Sequence, residues 1–163
     1  MVVVIMGVSG SGKSTLGELL AKELKGRFFE ADDYHPASNI KKMMAGEPLE
    51  DADRAPWLSI LAHNISKWSK QEGGVVLACS ALKRVYRHQL KGKNGGSVCF
   101  VYLQGEPELI KQRLANRKSH FMPVSLLDSQ YSTLQEPKNA LYISASLPLK
   151  QQLGKLVLHL SKV

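Results

Sequence analysis

The chain opens with Val2-Val-Val-Ile-Met-Gly-Val-Ser-Gly-Ser-Gly-Lys-Ser-Thr15, and the rest of the sequence is arranged around this segment. The apolar run Val2–Met6 predicts a buried strand, and Gly7-x-x-x-x-Gly12-Lys13-Ser14 has the spacing of a phosphate-binding loop. Apolar residues then recur at helical intervals from Thr15 to Leu24, which predicts a helix. A strand, a glycine-rich loop and a helix in this order indicate a site for a nucleoside triphosphate.

Each part of this loop suits a phosphate group. Its glycines permit backbone conformations that turn successive N–H groups toward an anion, and the following helix N-terminus adds its dipole. Lys13 supplies a positive charge for the β- and γ-phosphates, and the Ser14 hydroxyl is suited to Mg²⁺. A glycine-rich turn that binds nothing is the alternative, which the complete pattern disfavours. The residues predicted to hold the nucleotide are Gly7, Val8, Ser9, Gly10, Ser11, Gly12, Lys13, Ser14 and Thr15.

Length and composition restrict the class of protein. The 163 residues predict one domain over residues 1–163. No apolar run approaches the roughly 20 residues that span a membrane, and Cys79 and Cys99 lie in apolar runs, which favours reduced thiols in a cytoplasmic protein. The net charge of +8 suits either a nucleic-acid-binding protein or a kinase that holds ATP and an acidic substrate. Because no nucleic-acid motif accompanies the charge, we expect no nucleic-acid partner. Because no apolar run is long enough to span a membrane, we expect no membrane partner.

Apolar strand-like segments alternate with helical segments along the whole chain. This alternation predicts an α/β fold with three layers, in which helices cover both faces of a parallel sheet. One helix is predicted from Pro56 to about Gln71, with a single apolar face formed by Trp57, Ile60, Leu61, Ile65 and Trp68. Strands are predicted at residues 2–6, 27–31, 75–79, 98–103 and 141–144. A substrate-side insertion is expected at about residues 36–68, and a helical lid at about residues 113–135.

Chemistry beyond the loop is expected at the carboxyl ends of the strands, where ligands bind in open α/β sheets. Asp32 follows the second strand, and we assign it to orient or deprotonate an acceptor hydroxyl; a helix cap or a solvated turn is the alternative. Lys83, Arg84 and Arg87 follow the third strand and share one helix face. These three cations suit a carboxylate or a moving phosphoryl group, and a solvated basic face is the alternative.

Two further features narrow the class of nucleotide-binding protein. Arg113 and Arg117 are four residues apart, at a place where an arginine of a lid could close on ATP. The third strand ends in Ala78-Cys79-Ser80 without an acidic residue, so metal binding is expected to depend on Ser14, the phosphates and Asp32. This pattern disfavours switch GTPases and motor ATPases, and it favours a small-molecule kinase.

Several motifs between Val2 and about Pro137 carry a family resemblance. They are Gly7–Thr15, Asp32 with His35-Pro36, Asp51-x-Asp53-Arg54-x-Pro56-Trp57-Leu58, Cys79-Ser-Ala-Leu-Lys83 with Arg87, and His120-Phe-Met-Pro123. Together they resemble the gluconokinase family of P-loop small-molecule kinases. The resemblance implies a fold like the nucleoside monophosphate and shikimate kinases, with a mobile lid. It also implies transfer of a phosphoryl group from ATP, with Mg²⁺, to D-gluconate, commonly by a homodimer.

The resemblance also implies roles for individual residues. Gly7–Ser14 would bind ATP, Asp32 would contact the acceptor hydroxyl, and gluconate would be bound by His35, Arg54, Lys83, Arg87 and His120. Of these, the two arginines suit the carboxylate best, because a guanidinium binds a carboxylate through two hydrogen bonds. After Pro137 the resemblance weakens, in the region that shapes the adenine pocket of related kinases. A shikimate-like or nucleoside monophosphate kinase and a basic, ATP-responsive nucleic-acid-binding protein are the alternative functions.

Overall fold

The computed structural model describes residues 1–117 and 124–162, without the side chains of residues 94–96. Its centre is a sheet of five parallel strands in the order β2-β3-β1-β4-β5. The strands are β1 (Val2–Met6), β2 (Arg27–Glu30), β3 (Val75–Ala78), β4 (Val98–Gln104) and β5 (Leu141–Ser144). The α/β class and the five-stranded parallel sheet predicted from the sequence are therefore confirmed.

Seven α-helices and two short 3₁₀ helices connect the described strands. The α-helices are α1 (Lys13–Glu23), α2 (Ala37–Met44), α3 (Asp51–Trp68), α4 (Arg84–Lys91), α5 (Pro107–Ala115), α6 (Val124–Thr133) and α7 (Leu149–Leu160). The 3₁₀ helices are Ala31–Tyr34 and Gly92–Ser97. No helix within the described ranges combines the length and the hydropathy that crossing a membrane requires.

β1 is fully buried because helices cover both faces of the sheet. Successive side chains of a strand point to opposite faces, so Val4 packs with α3 and α4 while Ile5 packs with α1 and α7. Register supports this central position: Val4 lies opposite Leu77 of β3 and opposite Phe100 of β4. The sheet core therefore holds rigidly the strand from which the phosphate-binding loop emerges.

The start of α3 differs from the sequence prediction. The helix begins at Asp51, five residues before Pro56, which lies inside it. The Asp53 carboxylate accepts the backbone N–H of Glu50 at 2.8 Å, and this contact stabilises an earlier start than the proline suggested. The predicted apolar face is also wrong at one position, because Ile60 is 41% exposed.

The carboxyl end of α1 places a residue other than glycine in the left-handed conformation. Lys25 adopts that conformation, with φ of 50°, and Gly26 donates its N–H to the Ala21 carbonyl at 2.8 Å. The glycine is needed because a Cβ at Gly26 would lie 1.9 Å from the carbonyl oxygen of Gly74. Close approach of two backbone segments, not a positive φ, therefore explains the residue type.

This close approach leads to a test of stability. We expect Gly26→Ala to lower the free energy of unfolding by about 2–3 kcal/mol, because the added methyl must displace backbone next to Gly74. Gly154→Ala is the matched control: Gly154 is helical with nothing within 4 Å of the added Cβ, so this change should stabilise by about 0.5–1 kcal/mol. Urea unfolding measures both, and equal stability of the two variants would contradict the packing argument.

Candidate active site

A cavity of about 220 Å³ lies beside the phosphate-binding loop, at the carboxyl ends of the strands. Five of the residues predicted from the sequence line it together: Ser9 of the loop, Lys13 from α1, Asp32 and His35 after β2, and Arg54 from α3. Distant parts of the chain meet here because the parallel strands all end at this edge of the sheet. The other lining residues are Glu30, Met43, Glu47, Pro48, Leu49, Trp57, Ser80, Leu82, Leu126, Ser129, Gln130 and Thr133.

The loop itself has the backbone that its glycines allow. Gly7, Gly10 and Gly12 have φ of 146°, 80° and 99°, which residues with a Cβ rarely adopt. A Cβ at Gly7 would also lie 2.7 Å from the carbonyl oxygen of Leu103, so the loop packs directly against β4. The sequence therefore requires glycine at the first position of the motif for two separate reasons.

Lys13 points back over this loop. Its Nζ donates to the Val8 carbonyl at 2.9 Å, inside the curve of the backbone. Burial lowers the pKa of Lys13 below its ordinary value, and the nearby carboxylates of Asp32 and Glu30 oppose that effect. The ammonium group is therefore poorly hydrated, which strengthens its attraction for an anion such as phosphate, while the carboxylates of Asp32 and Glu30 partly offset that attraction.

Glu30 is a site residue that the sequence analysis missed. It is the last residue of β2, and its Oε2 accepts a hydrogen bond from the Ser14 hydroxyl at 2.6 Å. Burial raises the pKa of Glu30, while the bond from Ser14 acts in the opposite direction. Its position at the carboxyl end of a strand, two residues before Asp32, was a usable signal. Ser14, Glu30 and Asp32 offer hard oxygen atoms beside the loop, the ligand type that Mg²⁺ prefers.

Asp32 stands exposed at the cavity, with His35 behind it. The His35 Nε2 lies 3.6 Å from Asp32 Oδ1, and only 4% of the His35 side chain is exposed, against 73% of the Asp32 side chain. The pKa of Asp32 is lowered chiefly by its interaction with His35 and to a smaller degree by Lys13, against the effect of desolvation. Asp32 therefore remains ionised and able to accept a hydrogen bond.

The His35 ring is held in place by stacking. It lies parallel to the Trp57 indole, with ring centres 4.3 Å apart and 15° between the planes. Trp57 is itself buried and donates its Nε1–H to the Ala31 carbonyl at 2.7 Å, which links α3 to the end of β2. This arrangement explains why the Trp57 of the predicted apolar face belongs to both the core and the cavity wall.

The three predicted basic residues Arg54, Lys83 and Arg87 have different environments. The Arg54 guanidinium reaches the cavity, donates to the Leu49 carbonyl and lies 5.6 Å from the centre of the Tyr86 ring. Lys83 is paired with Asp51, at 2.7 Å between Nζ and Oδ1, and this bond raises the pKa of Lys83 and lowers that of Asp51. The lysine is not among the residues that line the cavity.

Arg87 is buried, and the structure does not bring it to the cavity. Its Nη1 donates to the carbonyls of Ala81 and Leu82 at 2.8 and 2.9 Å, and its Nη2 donates to the Gln135 carbonyl at 2.7 Å. The shared helix face predicted for Lys83, Arg84 and Arg87 therefore does not form one anion site. Arg87 instead links the connection after β3 to the segment after α6.

Arg113 and Arg117 line a second cleft on the other side of the loop, with Gly10, Gly12 and Thr15. The Arg113 guanidinium donates to the Ser11 carbonyl at 3.3 Å and to the Ala145 carbonyl at 2.6 Å. It therefore bridges the loop and the segment that follows β5. His120, the remaining residue predicted to contact substrate, lies outside the described residues.

Gln130 of α6 is a second contact that the sequence analysis missed. Its Oε1 accepts the backbone N–H of Ser9 at 2.8 Å, and its Nε2 donates to the Ser9 hydroxyl at 3.3 Å. The two residues are 121 positions apart, and no sequence pattern links them. This bond brings α6 directly against the phosphate-binding loop.

Comparisons with known proteins give one consistent family for this chain. The family model described as shikimate kinase matches residues 9–152. A probable gluconokinase from Xenopus tropicalis is 49% identical over 84% of this chain and 80% of its own length. The gluconokinase from Gluconobacter oxydans is 47% identical over 83% of this chain and 75% of its own length. A solved gluconokinase structure from Sinorhizobium meliloti is 40% identical, with a TM-score of 0.87 over 98% of this chain and 91% of that one.

The fold, the loop and the matched family model define a phosphotransferase of the shikimate kinase type, a class that uses ATP. Within that class, the identities of 43–49% over most of the chain show that this chain belongs to the gluconokinase family. The resemblance inferred from the motifs is confirmed. A shikimate kinase structure from Aquifex aeolicus, 17% identical with a TM-score of 0.62, shares the fold alone.

The buried position of Arg87 leads to a stability prediction. We expect Arg87→Leu to lower the free energy of unfolding by about 3 kcal/mol, because the Ala81, Leu82 and Gln135 carbonyls lose a charged donor. Arg84→Leu, on the exposed side of the same helix, should change stability by less than about 0.5 kcal/mol. Chemical denaturation of both variants measures the two changes in the free energy of unfolding. A stable Arg87→Leu protein with weakened substrate binding would return this arginine to the substrate site.

Proposed function

We propose that the protein transfers the γ-phosphoryl group of ATP to D-gluconate, giving ADP and 6-phospho-D-gluconate. The observation that carries the proposal is the meeting of Asp32, His35 and Arg54 in one cavity beside Lys13. A polyhydroxy acid needs a cation for its carboxylate and an acceptor for its hydroxyl proton, and this cavity offers both. The identities with gluconokinases support gluconate as the acid.

The nucleotide is proposed to lie along the loop Gly7–Thr15, with its base and sugar toward the cleft of Arg113 and Arg117. Ser14 is the proposed Mg²⁺ ligand, and Glu30, bonded to its hydroxyl, would hold water of the metal's shell. When bound, Mg²⁺ supplies positive charge that offsets the charge developing on the phosphate oxygens. The fit rests on the convergence of the Ser14 hydroxyl with the Glu30 and Asp32 carboxylates, not on a dedicated cluster of metal ligands.

Lys13 and Asp32 are the proposed catalytic residues. The poorly hydrated Lys13 ammonium stabilises charge on the transferring phosphoryl group, an effect that is larger where water is excluded. Asp32, ionised at neutral pH, accepts the hydrogen bond of the acceptor hydroxyl and aligns it with the phosphorus. Because transition states of phosphoryl transfer are loose, alignment contributes more than early removal of the proton.

The gluconate carboxylate is assigned to Arg54, whose guanidinium reaches the cavity while its anchor is a backbone carbonyl. His35 is assigned to the wall beside the acceptor hydroxyl, next to Asp32. Lys83 and Arg87 are left out of the proposed site because Asp51 and three carbonyls already engage them. A contact from His120 stays a prediction from the family resemblance.

Some predictions from the sequence remain part of this proposal. We propose one functional unit over residues 1–163, with a substrate-side insertion at about 36–68 and a lid at about 113–135. A cytoplasmic homodimer without a nucleic-acid or membrane partner completes the proposal.

The test is a coupled ADP-release assay with Mg-ATP and D-gluconate, compared with shikimate, glucose and AMP as acceptors. We expect gluconate alone to support rapid turnover, and Lys13→Ala to abolish it while the circular dichroism spectrum is unchanged. Turnover with shikimate or AMP and none with gluconate would support a phosphotransferase but contradict gluconate as its acceptor. Salt-dependent binding of duplex or single-stranded DNA without turnover would support the nucleic-acid alternative.

A substitution at Asp32 separates alignment from binding. We expect Asp32→Asn to lower kcat by about 10²–10³-fold with less than a threefold change in KM for gluconate, because the amide cannot accept the hydroxyl proton in the same geometry. Asp33→Asn is the matched control, since Asp33 is exposed and does not line the cavity. A change confined to KM would make Asp32 a binding residue only.

The assignment of the carboxylate has its own test. We expect Arg54→Leu to raise KM for gluconate by about 30-fold, the equivalent of losing roughly 2 kcal/mol from a charged hydrogen-bonded pair, with a much smaller effect on KM for ATP. Steady-state kinetics with each substrate varied in turn measure the two constants, and Lys83→Leu serves as the comparison. An unchanged KM for gluconate in Arg54→Leu, with a raised value in Lys83→Leu, would move the carboxylate to the lysine.

A further inference from the structure

Asn39 is a buried polar residue that no part of the proposed reaction uses. It lies on α2 with 2% of its surface exposed, although the neighbouring residue Ile40 is 44% exposed. Its amide nitrogen, Nδ2, donates to the backbone carbonyl of Asp53 at 2.8 Å. A carbonyl oxygen can only accept a hydrogen bond, so this contact identifies the atom facing Asp53 as the nitrogen of the amide.

The same nitrogen lies 3.2 Å from Nδ1 of His35. An amide nitrogen has two hydrogens, and the Asp53 carbonyl takes one of them, so the second is directed at the imidazole. Nδ1 must then be the accepting nitrogen, because an N–H at that atom would face an N–H of the amide. The ring proton is therefore carried by the other nitrogen, Nε2.

Nε2 is the atom that faces the catalytic carboxylate, at 3.6 Å from Asp32 Oδ1. A 180° flip of the ring would keep the stacking on Trp57, but it would place Cδ2 instead of Nδ1 opposite the Asn39 amide. The contact with Asn39 therefore selects the orientation in which Nε2 faces Asp32. The chain of contacts thus runs from the Asp53 carbonyl through Asn39 and His35 to Asp32. It joins the first turn of α3 to Asp32, which is proposed to accept a hydrogen bond from the substrate hydroxyl.

We propose that Asn39 is a positioning residue that keeps His35 in the Nε2–H tautomer, so that the imidazole presents a donor to Asp32 Oδ1. A donor that faces Oδ1 at 3.6 Å favours one orientation of the carboxylate and leaves its other oxygen available to the acceptor hydroxyl. The inference rests on the proposed role of Asp32 in phosphoryl transfer. It adds a requirement on a residue that touches neither the substrate nor the nucleotide.

The tautomer of His35 can be measured without any substrate. Long-range ¹H–¹⁵N correlation spectra of the wild-type protein at pH 8 distinguish Nε2–H from Nδ1–H imidazoles by their nitrogen shifts. The chain has five histidines, and the His35→Phe variant, which retains an aromatic ring beside Trp57, identifies the His35 signals by their loss. We expect the Nε2–H form, and the Nδ1–H form would overturn the proposal.

Kinetics supply a second, independent readout. We expect Asn39→Leu to lower kcat with gluconate by about tenfold, with less than a twofold change in KM for ATP, the size typical of losing a supporting contact behind a reactive group. In a His35→Phe background the same substitution should lower kcat by less than twofold, because its effect passes through the imidazole. Asn139→Leu, at an exposed position, is the matched control.

A purely structural role for Asn39 would give a different result. Loss of the bond to the Asp53 carbonyl lowers the unfolding midpoint under either role, so kcat is the deciding measurement. An equal reduction of kcat by Asn39→Leu in the wild-type and His35→Phe backgrounds contradicts the proposal. The spectra also separate this inference from the proposed function. If the protein turns over gluconate while His35 is in the Nδ1–H form, only the proposed role of Asn39 is contradicted. An Nε2–H tautomer without turnover of gluconate removes the proposed function instead.

Discussion

The structure depends on the packing of β1 between two strands and between two layers of helices. Every side chain of this strand is buried, so its end point is fixed relative to the rest of the sheet. Gly7 follows at once and lies so close to the Leu103 carbonyl that a Cβ cannot be accommodated. The loop therefore has one available path, and the positions of Lys13 and Ser14 at the start of α1 follow from it. The packing of the core therefore determines where the residues of the nucleotide site lie.

Burial and pairing decide which charged residues remain free for chemistry. The chain has 22 lysines and arginines, but those near the strand ends have very different partners. Arg87 bonds to three backbone carbonyls and Lys83 bonds to Asp51, so both cations already have partners within the chain. Arg54 reaches the cavity and Lys13 lies over the phosphate-binding loop. The net charge of +8 therefore overstates the number of cations that can meet a substrate.

The sequence was sufficient for the features that are encoded locally. The phosphate-binding loop, the parallel sheet and the exact bounds of β5 follow from apolar periodicity and glycine spacing. Glu30 was missed although its place at a strand end was visible, because no spacing rule singles out one acidic residue. The bond of Gln130 to Ser9 spans 121 residues, and the three bonds of Arg87 depend on where carbonyls lie after folding. Such partners become apparent only when the elements are packed.

The clamp around Gln135 limits how the segment before it can move. The Gln135 N–H donates to the Leu82 carbonyl at 2.9 Å, its side-chain Oε1 accepts the Arg84 N–H at 2.8 Å, and its carbonyl accepts from Arg87 at 2.7 Å. With this end tied to the connection between β3 and α4, a rigid movement of α6 has its pivot next to Thr133. A ten-residue helix is about 15 Å long, so a rotation of roughly 20° at that pivot displaces the far end by about 5 Å. Because Arg87 donates to the Gln135 carbonyl, any such rotation of α6 would have its pivot beside this arginine.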